Sequence, residues 1–298
     1  MHLTPGSSVA RAPPSSSSPS MMSTSVKARP NTCKPTFDTL VVSGGGLKGV
    51  AALGAVHALR RSGALDNVKT MVGTSAGALV CAAMACGRDP HVVLRDLGPN
   101  MFKPDLDIKL LTTSFGIDSG SGIFGFADRV LGGRHTFRDI QQATGIRLVV
   151  CATNLSERRP EYFGPDTHPG MDVALALRMS CSVPLYFAAV RLGDATYVDG
   201  VLTDNFPCDW ALDNGSTSVI GIRFKPRNAP IASLDGYLGA LSDCAVRQGP
   251  RRSAAAARVV ELDPAMPTSV TFNATRKETR ALFASGYAQA CDFIKKTE

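Results

Sequence analysis

The sequence predicts an α/β protein, a three-layer sandwich in which helices flank a central, mainly parallel sheet. Strand-like apolar runs alternate with helix-like segments from Phe37 onward, the order that builds parallel sheets through crossover helices. Two strand-to-helix junctions are rich in glycine, SGGGLKG at 43–49 and GTSAG at 73–77. The 298 residues suffice for a sizeable core, and no stretch within 37–298 has the composition of a linker.

Taken in order, FDTLVV (37–42) reads as a buried strand that ends in glycines. LKGVAALGAVHALRRSG (47–63) reads as a helix, with Leu47, Val50, Ala51, Gly54 and Ala58 on one stripe and Gly63 as its C-cap. VKTMVG (68–73) is a short strand, and SAGALVCAAMACG (75–87) a helix of small residues that stops before Pro90. The Gly-rich stretch 116–133 combines a loop with one short helix, and the wider segment 113–133 is a candidate lid. TFRDIQQATG is a helix, RLVVCATNL a strand, and MDVALALRMSCSVP a helix stopped by Pro184. ATYVDG, VIGIRF and RVVELD are strands, and SLDGYLGALSDCAVRQ is a helix. The terminal TRKETRALFASGYAQACDFIKK is amphipathic, and its stripe of Leu282, Gly286, Ala290 and Phe293 is expected to cover the sheet.

Residues 1–36 are Ser/Pro-rich and without apolar periodicity. Such a segment cannot bury enough surface to offset the entropy of ordering it, so it is read as a disordered tail ahead of one domain at 37–298. It lacks the apolar core of a secretory signal. Arg11, Lys27, Arg29 and Lys34 stand there without an acid, as in a transit peptide, but no amphipathic helix accompanies them. No later segment reaches the ~18–20 uninterrupted apolar residues of a membrane span. The expected setting is therefore intracellular and cytoplasmic, with any membrane contact peripheral. The balance of 32 Lys+Arg over 25 Asp+Glu, a net +7, is read as solubility, and no nucleic-acid partner is assigned. Eight cysteines show no C-x-x-C pair and no clustering with histidine, which argues against a zinc site and a disulfide scaffold. No metal site is expected from this spacing.

The first glycine loop fits two anions. Gly44, Gly46 and Gly49 match G-x-G-x-x-G, which holds a dinucleotide pyrophosphate. The same backbone N–H groups could hold the oxyanion of acyl transfer. A dinucleotide site needs an acid at the end of the second strand, and that strand ends in Val72-Gly73. A Walker-type loop fails because Lys48 precedes Gly49.

The second junction discriminates between them. GTSAG is a G-x-S-x-G between a strand and a helix, where the turn lifts Ser75 clear of the sheet and the helix adds its positive end. Gly73 and Gly77 give room for the bend. A serine hydroxyl needs a base. The histidines are His2, His57, His91, His135 and His168, and none is placed as a triad member. A carboxylate base is the alternative. Asp199, at the end of ATYVDG and followed by Gly200, sits where open α/β sheets gather their sites. Asp194 and Asp204 are nearby competitors without that strand-end position. Burial would raise the carboxylate's pKa and make it a base.

GGGLKG, GTSAG and Asp199-Gly200, in this order, resemble the patatin-like phospholipase family of lipid acyl hydrolases. RMSCSVPLYF and DNFP extend the resemblance, which spans about residues 37–294. It implies a patatin-like fold and a calcium-independent phospholipase A type of activity. Ser75 would be the nucleophile, Asp199 the general base, and Gly44, Gly45 and Gly46 the oxyanion hole. The implied partner is membrane phospholipid or another acyl lipid, with no cofactor. Two residues depart from the family's pattern. Val201 stands where Gly or Ala is usual, and its β-branch restricts the turn. Lys48 stands where Arg is more common, so charge is kept and bidentate bonding lost. Lys48 is read as anchoring the loop or attracting a lipid phosphate. Two other classes stay open. A catalytically inactive lipid-binding or effector protein could keep this fold, and a dinucleotide-binding protein would leave Ser75 and Asp199 without a role.

Overall fold

The computed structural model describes residues 36–97, 106–225, 257–265 and 274–297, with single positions at 237, 240 and 244. The tail expected at 1–36 lies outside the described residues apart from Thr36, as does nearly all of the helix read at 233–248 and of RQGPRRSAAAAR (247–258), whose basic residues suit a solvated helix face or a contact with anionic headgroups.

The main sheet holds β1 (Thr39–Val42), β2 (Thr70–Thr74), β4 (Arg147–Asn154), β5 (Arg159–Phe163), β7 (Val190–Leu192), β8 (Ala195–Asp199), β9 (Val219–Phe224) and β10 (Ala257–Leu262). Its order is β10-β9-β1-β2-β4-β8-β7, with β5 paired to β4. The pairs from β10 to β4 are parallel, and those of β4 with β5 and β8, and of β7 with β8, are antiparallel. A second sheet pairs β3 (Gly116–Asp118) with β6 (Leu185–Phe187). The helices are α1 (Gly49–Ser62), α2 (Ala76–Ala85), α3 (Pro90–Asp96), α4 (Leu110–Ser114), α5 (Ser121–Leu131), α6 (Phe137–Thr144), α7 (Val173–Ser180), α8 (Cys208–Asp213) and α9 (Arg276–Thr297).

The period of two in the central strands sorts their side chains between two faces. Leu40, Val42, Leu148, Val150, Ile220 and Ile222 join the large core with residues of α1, α2, α7 and α9. Val41, Val72, Val149 and Val219 meet α8 on the other face. The flanked, mainly parallel sheet agrees with the expectation from the alternation.

Two expectations need revision. The terminal helix α9 packs chiefly along α1, not on the sheet. A Cβ on Gly286 would come within 1.8 Å of the Ala51 carbonyl oxygen, and one on Gly54 within 2.0 Å of that of Phe283. The small-residue stripe therefore serves helix–helix approach. The Gly-rich segment 116–133 holds β3 and α5, and α5 buries Ile123, Phe126, Ala127, Val130 and Leu131. That helix is part of the core, with no free hinge at its start. Gly120 lies against the Arg178 guanidinium, 2.2 Å from where its Cβ would be.

Candidate active site

The sheet register explains why two residues 124 positions apart meet. β2 runs beside β4 up to the pair Thr74–Cys151. β5 occupies the opposite flank of β4 over Val150–Asn154. β8, which pairs with Ala152–Asn154, must therefore lie on the flank that β2 has just vacated. Since β2 is parallel and β8 antiparallel to β4, their C-terminal ends point at each other. Thr74 and Asp199 come to rest opposite consecutive residues, Cys151 and Ala152. Gly200 allows the close meeting, since a Cβ there would lie 2.5 Å from the Cys151 carbonyl oxygen and 2.9 Å from Thr74 Cγ2.

Ser75 follows β2 with φ 52° and ψ −125°, a conformation few non-glycine residues adopt. The flanking glycines are sterically required. A Cβ on Gly77 would lie 2.2 Å from the Val42 carbonyl oxygen, and one on Gly73 2.6 Å from the Ala78 backbone. Ser75 Oγ donates to Asp199 Oδ2 at 2.8 Å. Both residues are buried, 6% and 2% exposed. Burial pushes the Asp199 carboxyl up to about 7, against the lowering effect of bonds from the Val201 N–H and the Ser75 hydroxyl. The α2 N-terminus begins at Ala76, so its positive end faces the same point.

The glycine loop closes over the serine. A Cβ on Gly44 would come within 3.2 Å of Ser75 Cβ, and one on Gly49 within 2.8 Å of Ala76 Cβ. Gly46, with φ 53°, opens a single 3₁₀ turn that ends at Lys48 and leads into α1. The Gly44 N–H is already committed to the Asn205 carbonyl at 3.2 Å. Among the described residues no acceptor takes the N–H of Gly45 or Gly46. Half-buried Lys48 donates its N–H to the Gly45 carbonyl at 3.1 Å. Val201 fits without disruption. Its N–H donates to Asp199 Oδ1 at 2.9 Å, and its methyl Cγ2 lies 2.6 Å from where a Gly44 Cβ would be.

Several supporting residues were not singled out from sequence. Ser180 Oγ accepts the Ser75 N–H at 2.8 Å and donates to the Cys151 carbonyl at 2.6 Å. The Ser182 carbonyl accepts the Asp199 N–H at 2.8 Å, and Thr153 Oγ1 donates to the Asp199 carbonyl at 2.8 Å. Arg178 fixes this segment through Ser182 Oγ, the Ser119 carbonyl at 2.9 Å and the Ala188 carbonyl at 2.8 Å. The buried Cys181 thiol follows Ser180 in the chain, and burial first, then the Asp199 charge, keeps it protonated. The only sequence signal for this group was the Ser-x-Ser spacing in RMSCSVP, whose partners are remote in the chain.

The competing side chains have other partners, although the Asp204 backbone borders the site through the Thr74 hydroxyl at 2.8 Å. Asp204 Oδ2 accepts from the Tyr162 hydroxyl at 2.7 Å. His57 and His91 meet each other, Nε2 to Nε2 at 3.2 Å, on α1 and α3. His168 packs on Phe163 with ring centroids 4.8 Å apart. Among the described residues no group of three or more His, Cys, Asp or Glu is arranged to hold a metal ion.

A profile of the patatin-like phospholipases matches residues 40–212, which contain the glycine loop, Ser75 and Asp199. The Probable lipid hydrolase 463L of Invertebrate iridescent virus 6 is 28% identical over 187 residues, covering 59% of this chain and 63% of the viral one. The chain thus spans less than two thirds of that relative's length. The Uncharacterized protein YqhO of Bacillus subtilis (strain 168) is 32% identical over 212 residues, 63% of this chain and 71% of that one. Among solved structures, VipD from Legionella pneumophila superposes with a TM-score of 0.57 at 16% identity, over 88% of this chain and 67% of VipD, a likeness of fold. With the profile spanning more than half of its residues, the chain belongs to the patatin-like phospholipase family.

Proposed function

We propose that this protein is a lipid acyl hydrolase that cleaves fatty-acyl esters of phospholipid or a related acyl lipid through a Ser75–Asp199 dyad. The observation that carries the reading is the buried 2.8 Å bond from the Ser75 hydroxyl to a carboxylate whose pKa is raised to about 7. An aspartate at its ordinary pKa is too weak a base at neutral pH, and one raised to this value is matched to the task. Family membership and the name of the viral relative support the lipid substrate.

In the proposed reaction Asp199 takes the Ser75 proton as Oγ attacks the ester carbonyl. The N–H groups of Gly45 and Gly46 and the end of α2 stabilise the oxyanion, and one such donor contributes roughly 2.7–4 kcal/mol. Gly44 gives the room for that approach, while its own N–H holds the loop to Asn205. Asp199 returns the proton to the leaving alcohol, and then activates the water that releases the fatty acid. Each proton transfer and charge is thus assigned to a group of the chain, so calcium independence is part of the proposal. Lys48, at the end of the 3₁₀ turn, is the residue proposed to anchor the loop or attract a lipid phosphate.

The test is fatty-acid release from phospholipid vesicles in EDTA, together with labelling by a serine-reactive fluorophosphonate. The wild type should release and label, Ser75→Ala should do neither, and Asp199→Asn should do both about 10²–10⁴-fold more slowly. Release surviving in Ser75→Ala would assign the chemistry to another nucleophile. A folded wild type that neither labels nor turns over any ester would leave the binding or effector reading.

A further inference from the structure

Seven large apolar side chains are exposed among the described residues, and five of them fall in two short segments: Leu106, Ile108, Leu111 and Phe115, and Leu185. The backbone stitches these segments together. Leu106 bridges to Asp118, Asp107 N–H bonds the Ile117 carbonyl at 2.8 Å, Gly116 pairs with Leu185, and Ala189 N–H bonds the Ser114 carbonyl at 2.9 Å. The five therefore share one edge of the molecule, around the small β3–β6 sheet. Ile108 is 77% exposed, Leu106 59%, Phe115 51% and Leu185 50%.

Two features set this edge apart from ordinary scattered apolar surface. Phe115 (φ 61°) and Leu185 (φ 66°) both hold left-handed backbone, where Gly or Asn would be favoured and a bulky residue is strained. Phe115 supplies the left-handed cap that ends α4, a position where Gly is usual, and both side chains stay half exposed. The edge is also continuous with the dyad. Behind Leu185, Phe187 packs with Ile123 and Cys181, with Leu79, Val183 and Tyr186 around them. Cys181 adjoins Ser180, whose Oγ accepts the Ser75 N–H at 2.8 Å. The apolar cluster thus connects β6, which carries Leu185, to the segment that holds the Ser75 elbow.

We propose that this edge is the surface on which the protein docks onto a zwitterionic phospholipid bilayer, with an acyl chain entering past Val183 and Tyr186 toward Ser75. The occupant follows from the chemistry of the edge. Asp107 and Lys109 carry opposite charges within the 106–115 segment, and Asp107 Oδ1 accepts the Lys109 N–H at 2.9 Å. The segment offers apolar contact without net charge, which suits hydrocarbon beneath neutral headgroups rather than an anionic surface. Entry of an acyl chain rests on the acyl-hydrolase reading above, whereas docking itself does not.

The test takes the full chain carrying Ser75→Ala, so that the lipid stays intact, and measures its co-sedimentation with phosphatidylcholine vesicles at low and high salt. Ile108→Asn and Phe115→Asn should each lower the partition coefficient roughly tenfold, the loss of one large apolar insertion. Asn suits the left-handed backbone at 115, so the fold is preserved. Salt should leave binding nearly unchanged. In the chain that retains Ser75, both variants should lose vesicle hydrolysis in step with binding and keep full turnover of a dissolved short-chain ester. Vesicle binding unchanged in both Ile108→Asn and Phe115→Asn overturns the proposal. So does binding confined to anionic vesicles and abolished by salt, or a dimer in solution that Ile108→Asn converts to monomer while vesicle binding persists. If no ester is cleaved but vesicle binding still depends on Ile108 and Phe115, docking stands and the hydrolase reading falls.

Discussion

Glycine allows close approach at two places in this molecule, with opposite consequences. At the α1–α9 contact, Gly54 and Gly286 bring two helix backbones together, and the result is packing alone. At the sheet's end, Gly73, Gly77, Gly44 and Gly200 bring strand ends, a loop and a helix start together around Ser75 and Asp199. There the approach places a hydroxyl and a carboxylate within bonding distance, at the expense of backbone strain at Ser75 and a buried charge at Asp199. One region contributes stability and the other spends it. A glycine's meaning is set by what stands opposite it, polar reacting groups or carbonyls of a neighbouring helix.

The largest effect that sharpens this contrast is expected at Asp199. Asp199→Asn should lower kcat by about 10²–10⁴-fold, the loss of a general base. The same change should stabilise the protein at neutral and alkaline pH. The Asp199 carboxyl is raised from 3.8 to about 7 in the folded state. The folded chain therefore holds a proton between those values that the unfolded chain has lost. Stability from this group is greatest below about pH 4 and declines as pH rises to about 7, by at most on the order of 4 kcal/mol. Melting curves at acid and at alkaline pH should show Asp199→Asn level with wild type in acid and above it at pH 8. A variant less stable than wild type at pH 8 would mean that the site does not work against the fold. In the wild type, kcat/KM should fall about tenfold per pH unit below pH 7, because protonated Asp199 cannot accept the serine proton. A profile flat down to pH 5 would contradict the raised carboxyl.

Single methyl groups separate the two kinds of glycine. Gly77→Ala drives a Cβ to 2.2 Å from the Val42 carbonyl oxygen, and Gly286→Ala to 1.8 Å from that of Ala51. Both should destabilise, by about 3 kcal/mol, which lowers Tm by roughly 6–12 °C in a domain of this size. Only Gly77→Ala should also lose activity in the protein that remains folded, by about 10²-fold, because the elbow that aims Ser75 must shift. Active-site titration with a fluorophosphonate at low temperature would count the folded fraction. Equal activity loss per folded molecule in both variants would erase the distinction.

How far the sequence could be read follows the same division. The long central strands and α2 were legible as continuous apolar runs, and α1 and α9 by a stripe at helical spacing. β5, β7, α3, α4 and α8 are short or half-exposed, so their patterns were too brief to detect. Ser75 and Asp199 were legible because each sits at a strand end in a local Gly context. Ser180 and Thr153 were not, since their partners Ser75 and Asp199 lie 105 and 46 residues away, and only the sheet register joins them. Gly44 looked equivalent to Gly45 and Gly46 in sequence. Only the fold shows its N–H bonded to Asn205. The stripe on α9 was visible, but small residues alone did not tell a helix partner from a sheet.

The smallest effect tests whether the polar scaffold beneath the dyad belongs to the site or to the core. Ser180 Oγ ties the Ser75 N–H to the Cys151 carbonyl, so it joins the elbow to β4, the strand on which Asp199 pairs. Ser180→Ala leaves two buried backbone groups without this partner, which should destabilise by about 1–3 kcal/mol. If Ser180 were only a core residue, kcat per folded molecule would be unchanged. As a positioning residue it holds the elbow in register with Asp199, so kcat should fall about tenfold at constant KM, because the misalignment acts at the transition state and leaves substrate binding alone. The pH midpoint should stay near 7, since Ser180 does not touch the carboxylate. A shift in KM with kcat intact would place Ser180 in substrate binding, and an unchanged kcat would assign it to stability with Gly54 and Gly286.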